Sequence, residues 1–114
     1  MDAKTHSTDL IDAEELKEKL DRGENFKLVM VLGEWEYGAK HIPGSVRVST
    51  IAEGLETLDY EDEIVLYDSG PPCPASRMAC RILKANGYER VRRYTGGLVE
   101  WEIIGYPLEG EHVG

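Results

Sequence analysis

Two nearly unbroken apolar runs govern what this chain can become: Phe26–Leu32 (FKLVMVL) and Ile64–Tyr67 (IVLY). Neither alternates with polar residues, so each needs cover on both faces, as strands inside a parallel sheet have. Helical segments lie between and after them. Asp12 stands three positions before Glu15, the spacing of a capping box. Ala13, Leu16 and Leu20 then share a helical face, and Gly23 supplies a stop. Residues 34–40 (EWEYGAK) form a short helical stretch, and His41-Ile42-Pro43-Gly44 is turn chemistry. Val46 and Val48 around Arg47 predict a brief strand, and Ser49 or Thr50 can cap a helix over Ile51–Leu58.

A longer helix opens at Ala75. Ala75, Met78, Ala79, Ile82 and Leu83 share one face, Arg77, Arg81 and Lys84 the other, and Gly87 ends it. Val91–Tyr94 predicts a further short strand, and Gly96-Gly97 opens a last helix carrying Leu98, Trp101 and Ile104. Strands that alternate with helices at this spacing make an α/β domain with a mainly parallel sheet.

The chain has 114 residues, enough for one self-sufficient core. Its 22 acidic and 13 basic residues leave a net charge of −9, which argues against nucleic-acid and anionic-membrane binding. No stretch reaches the apolar length of a bilayer span. The first residues hold no apolar signal segment, position 2 is Asp, and Cys73 and Cys80 make no disulfide framework, so a cytoplasmic monomer is expected. The expected organisation is a flexible N-terminus over 1–9, one domain over 10–110 and a tail over 111–114.

Ligands of open parallel sheets bind beyond the carboxyl ends of the strands. That points to the loop Asp68-Ser69-Gly70-Pro71-Pro72-Cys73-Pro74, which feeds the helix at Ala75. A helix N-terminus gathers unpaired amides and favours an anion or a thiolate. Cys73 is therefore a candidate reactive thiol, although a cysteine held among prolines serves equally as inert packing. Arg77, in the first turn, can reach an anion in the loop; most residues so placed are simply solvated.

Other chemistries find less support. Asp68 as a phosphoryl-accepting nucleophile lacks a second carboxylate at D-x-D spacing, because Gly70 stands there. The plainer expectation is a carboxylate that accepts hydrogen bonds from its own loop amides, an Asx-type turn or cap. A Cys-x5-Arg phosphatase loop fails because Ala79 lies six residues after Cys73. His6, His41 and His112 are scattered, and with two cysteines they give poor metal-ligand spacing, so no metal is expected. Cys80 reads as packing, as do Trp35 and Trp101, while Arg90, Arg92 and Arg93 predict a local exposed basic strip.

Several blocks in order carry a family pattern: Glu36-Tyr37, His41-Ile42-Pro43-Gly44-Ser45, Gly96-Gly97-Leu98, Trp101, and Gly105-Tyr106-Pro107. Together they resemble the rhodanese family of sulfurtransferase domains over nearly the whole chain. The resemblance implies a single module with a mainly parallel sheet of about five strands and helices on both faces. It also implies, in active members, a loop cysteine that takes sulfane sulfur from a donor such as thiosulfate and passes it to a nucleophile. Partners would be a small sulfur-containing anion or a thiol acceptor protein, with no cofactor.

The departures from that pattern fall on the chemistry. The family's catalytic cysteine directly follows the apolar strand, and here that position is Asp68; the Asp and Arg of its D-V-R stretch fall on Met30 and Leu32. The run Cys73-Pro74-Ala75-Ser76 resembles a longer-loop subgroup with a second cysteine at this point. With three prolines in the loop, an anion cradle can draw on the amides of Ser69, Gly70, Cys73, Ala75 and Ser76. The expectation is a module degenerate for thiosulfate transfer that binds or regulates. The alternatives are a persulfide carried on Cys73, or a thiosulfate sulfurtransferase whose cysteine has been exchanged for Asp68.

Overall fold

The computed structural model describes residues 10–31, 34–48, 51–71 and 73–111, and of residues 34, 35, 51, 52 and 55 the backbone alone. His6, Leu32, Ser49, Thr50, Pro72, His112 and the Trp35 side chain lie outside the described residues. Five strands and five helices alternate among those described: β1 (Leu10–Ile11), α1 (Ala13–Asp21), β2 (Lys27–Met30), α2 (Glu34–Ala39), β3 (Val46–Arg47), α3 (Ile51–Thr57), β4 (Ile64–Tyr67), α4 (Ala75–Ala85), β5 (Val91–Tyr94) and α5 (Gly97–Ile104). The strands form one sheet in the order β1-β5-β4-β2-β3, and every pairing is parallel.

The two apolar runs are the centre of this sheet, and alternate residues face opposite layers. Leu28, Met30, Val65 and Tyr67 point toward α1 and α5, where they meet Leu16, Tyr94 and Trp101. Val29, Ile64 and Leu66 point toward α3 and α4, where they meet Leu58, Ala79, Cys80 and Leu83. A strand buried on both sides has no polar face to display, which is why these runs show no alternation.

Several elements differ from expectation. β1 is a strand of two residues, paired with β5, and two residues carry no readable period. The Asp12 carboxylate accepts from the Glu15 amide at 2.8 Å, but the Glu15 side chain turns to Arg92, so the capping box is half made. Met78 is 56% exposed rather than buried with Ala79 and Leu83, because it lines an open apolar pocket between α4, Val48, Leu58 and Leu66. The basic strip is partly neutralised: Arg92 pairs with Glu15 and Glu63, and the exposed Arg90 lies 3.7 Å from the same Glu63.

Candidate active-site loop

β4 delivers two polar side chains in succession at its carboxyl end, one to each side of the sheet. Tyr67 is fully buried on the α1 side, and its hydroxyl accepts from the Ile42 amide at 3.0 Å. The Ser45 hydroxyl donates to the Ile42 carbonyl at 2.7 Å, which leaves its oxygen to accept from Tyr67 at 2.9 Å. Burial pushes the Tyr67 phenol up to about 12, against the smaller opposing pull of these hydrogen bonds. Tyr37 donates to the Ser45 carbonyl, and His41 stacks on the Tyr37 ring with centroids 3.9 Å apart. The His-Ile-Pro-Gly turn is thus a structural clasp on the end of β4, and His41 is part of its packing.

Asp68 turns the other way and is 2% exposed. One carboxylate oxygen accepts from the Gly70 amide and the other from the Ser76 amide, each at 2.9 Å. The first bond closes an Asx turn; the second caps α4 from eight residues upstream. This matters because Pro74 occupies the N-cap position and offers no side-chain acceptor. A carboxylate placed here also meets the positive end of the α4 dipole.

Backbone contacts fix the loop against α5. The Leu98 amide donates to the Asp68 carbonyl and the Val99 amide to the Ser69 carbonyl, both at 3.0 Å. The approach is so close that a Cβ on Gly97 would stand 2.4 Å from the Gly70 nitrogen, and Gly97 has a φ of +65°. The Gly96-Gly97 pair is what lets the loop and the helix start meet.

The five amides expected to form a cradle therefore divide. Gly70 and Ser76 serve Asp68, and Cys73 donates to the Gly70 carbonyl at 2.9 Å. Only Ser69 and Ala75 remain without a partner among the described residues. Cys73 is half-buried with a free thiol; Cys80 is buried and packed among Ala79, Leu83 and Val91. Arg77 is exposed, and among the described residues no hydrogen bond or ion pair joins it to Asp68. Met30, paired in register with Tyr67, is fully buried in the α1-side core. Among the described residues no group of side chains could hold a metal ion, and no helix is long and apolar enough to cross a membrane.

Residues 12–103 match the profile of the rhodanese-like domain. This chain belongs to the rhodanese-like family. The rhodanese-like domain of an Anabaena protein, solved in solution, is 29% identical with a TM-score of 0.80, over 91% of this chain and 80% of that one. A Bacillus halodurans protein superimposes with a TM-score of 0.88 at 23% identity, over 96% of this chain and 82% of that one, a likeness of fold. Among curated proteins, an HTH-type transcriptional regulator of Mycobacterium tuberculosis is 37% identical over 93% of this chain and 47% of its own length. A putative sulfur carrier protein of Bacillus subtilis is 31% identical over 80% of this chain and 49% of its own length. The rhodanese-like domain thus spans about half the length of both curated relatives.

The Asp68 carboxylate accepts from its own loop amides as the sequence leads one to expect, and it makes both an Asx turn and a cap on α4, where Pro74 at the N-cap position can supply none. Sequence reasoning missed Lys19, a residue of α1 that is buried in ion pairs with Glu24 at 2.8 Å and Glu63 at 2.6 Å. Burial alone would lower the Lys19 pKa, but the bonds to the two carboxylates outweigh it and the net shift is upward.

Proposed function

We propose that this rhodanese-like domain is a binding or regulatory module that does not turn over thiosulfate. The observation that carries the reading is the buried Asp68 carboxylate with both oxygens held by loop amides. In the family the equivalent position holds the sulfur that becomes a persulfide; a carboxylate can neither accept sulfane sulfur nor make room for an anionic donor. The kinship with an HTH-type transcriptional regulator supports a module that serves a larger protein.

Exchange of Asp68 for cysteine tests the reading. In a thiosulfate–cyanide assay, the introduced thiolate would attack the outer sulfur of thiosulfate and release sulfite. Cyanide would then take that sulfur as thiocyanate and return the thiolate. The wild-type domain is expected to give no thiocyanate above background, and turnover by the wild type overturns the proposal. Turnover by Asp68→Cys alone means that only the nucleophile is missing. An inactive Asp68→Cys that folds normally extends the degeneracy to Met30, Leu32 and the prolines.

A second reading rests on the half-buried free thiol of Cys73 and on kinship with a putative sulfur carrier. Here Cys73 carries a persulfide. A mass increase of one sulfur atom after incubation with a persulfide donor, abolished by Cys73→Ala, would favour it over the binding-module reading.

A further inference from the structure

Beside the Asp68 loop, α5 presents an apolar ridge. Val99 is 54% exposed, Ile103, one turn on, is 79% exposed, and Ile104 is 45% exposed. The ridge starts where the Val99 amide holds the Ser69 carbonyl, so it rises directly from the loop. Core packing does not require it: Gly97, Leu98 and Trp101 supply the inward face of α5.

The surrounding charge selects what can cover it. α5 carries Glu100, which accepts from the Tyr94 hydroxyl and keeps its full charge, and Glu102, which Lys40 pairs at 2.7 Å. No basic residue stands in the last turn of the helix itself. Next to Glu100 and Pro71 runs an open groove that also includes Asp12, Glu15 and Arg92. Three carboxylates thus face one arginine, and Arg92 is already shared between Glu15 and Glu63. A second copy of a chain with net charge −9 would bring like charge to like. A cationic partner meets the opposite sign.

We propose that the Val99–Ile103 ridge and the adjoining groove dock a basic amphipathic segment of a partner protein. Its apolar side chains would lie on Val99, Ile103 and Ile104, and a Lys or Arg would enter the groove toward Glu100. This rests on the reading of the domain as a binding module.

The test is titration of the isotope-labelled domain with a synthetic Leu/Lys amphipathic helix of about 15 residues, long enough to form on binding, with a Leu/Glu helix as control. The expected result is saturable binding of the Leu/Lys helix, with amide shifts centred on residues 99–104 and affinity that falls as salt rises. Ile103→Glu is the deciding variant. It adds negative charge, so attraction by bulk charge alone would strengthen binding, whereas loss of the ridge should weaken it about tenfold or more. Ile103 is largely exposed, and an unchanged melting temperature would show that the variant is folded. Equal or tighter binding by Ile103→Glu, or equal binding of the Leu/Glu helix, overturns the proposal. Self-association that Ile103→Glu abolishes also overturns it, by assigning the ridge to a second copy. Thiosulfate turnover by the wild type would remove the module reading without altering these outcomes, so the two failures are distinguishable.

Discussion

Tyr67 and Asp68 are neighbours in sequence, both buried and both polar, and they stand on opposite faces of the sheet. The Tyr67 hydroxyl ties β4 to a turn 25 residues upstream in sequence. The Asp68 carboxylate ties β4 to the loop and helix immediately downstream. The Tyr67 hydroxyl is bonded to both Ile42 and Ser45. The Asp68 carboxylate likewise has both of its oxygens bonded. The loop is built around the Asp68 carboxylate as thoroughly as the turn is built around the phenol.

The largest effect is expected from Asp68→Ala. It strands the buried Gly70 and Ser76 amides and removes the side-chain cap at the N-terminus of α4. At about 1–3 kcal/mol for each orphaned buried group, urea denaturation should show a loss of about 2–4 kcal/mol. A loss below about 1 kcal/mol would mean that water replaces the carboxylate readily, and the symmetry between the two residues would break.

Tyr67 offers the matching perturbation by pH. Its phenol ionises near 10 in an unfolded chain and near 12 when folded. The stability that comes from keeping it neutral is therefore complete below pH 10 and is lost as pH rises through 12. A shift of this size corresponds to about 2–3 kcal/mol. Lys19, whose pKa is also raised, contributes in the same direction above 10.5, because its ion pairs need the charged amine. Tyr67→Phe leaves the Ile42 amide and the Ser45 hydroxyl without their partner, at a cost of about 1–3 kcal/mol near neutral pH. The gap between wild type and Tyr67→Phe should close as pH rises from 10 to 12. A gap that stays constant would show that the phenol is not buried as described.

The sheet was legible because its central strands are buried on both sides, which writes an unbroken apolar run into the sequence. The site position was legible for a related reason: Asp68 breaks that run abruptly. What could not be read depends on partners distant in sequence. Arg92 looks solvated beside Arg90 and Arg93, and only the fold brings Glu15 to it across 77 positions. Lys19 looks like a surface residue of an acidic helix until Glu63 arrives beneath it. Met78 falls on the apolar face by helical spacing, yet the space between α4, Val48 and Leu58 is left as an open pocket, so Met78 stays exposed. The Asx turn from Asp68 to Gly70 is local and was expected, whereas the bond to Ser76 needs the whole loop to fold back.

The smallest effect, and the sharpest, is expected from Asp68→Asn. The asparagine oxygen can accept from one of the two amides, while its NH2 group confronts the other donor. One buried amide is then orphaned instead of two, and the charge that favours the α4 N-terminus is gone. A loss of about 1–2 kcal/mol is expected, roughly half that of Asp68→Ala. Amide hydrogen exchange at Gly70 and Ser76 should show which bond survives, since only the orphaned amide should exchange faster. If Asn and Ala cost the same, the carboxylate's charge rather than its two acceptors holds the loop, and Asp68 would work by electrostatics where Tyr67 works by geometry.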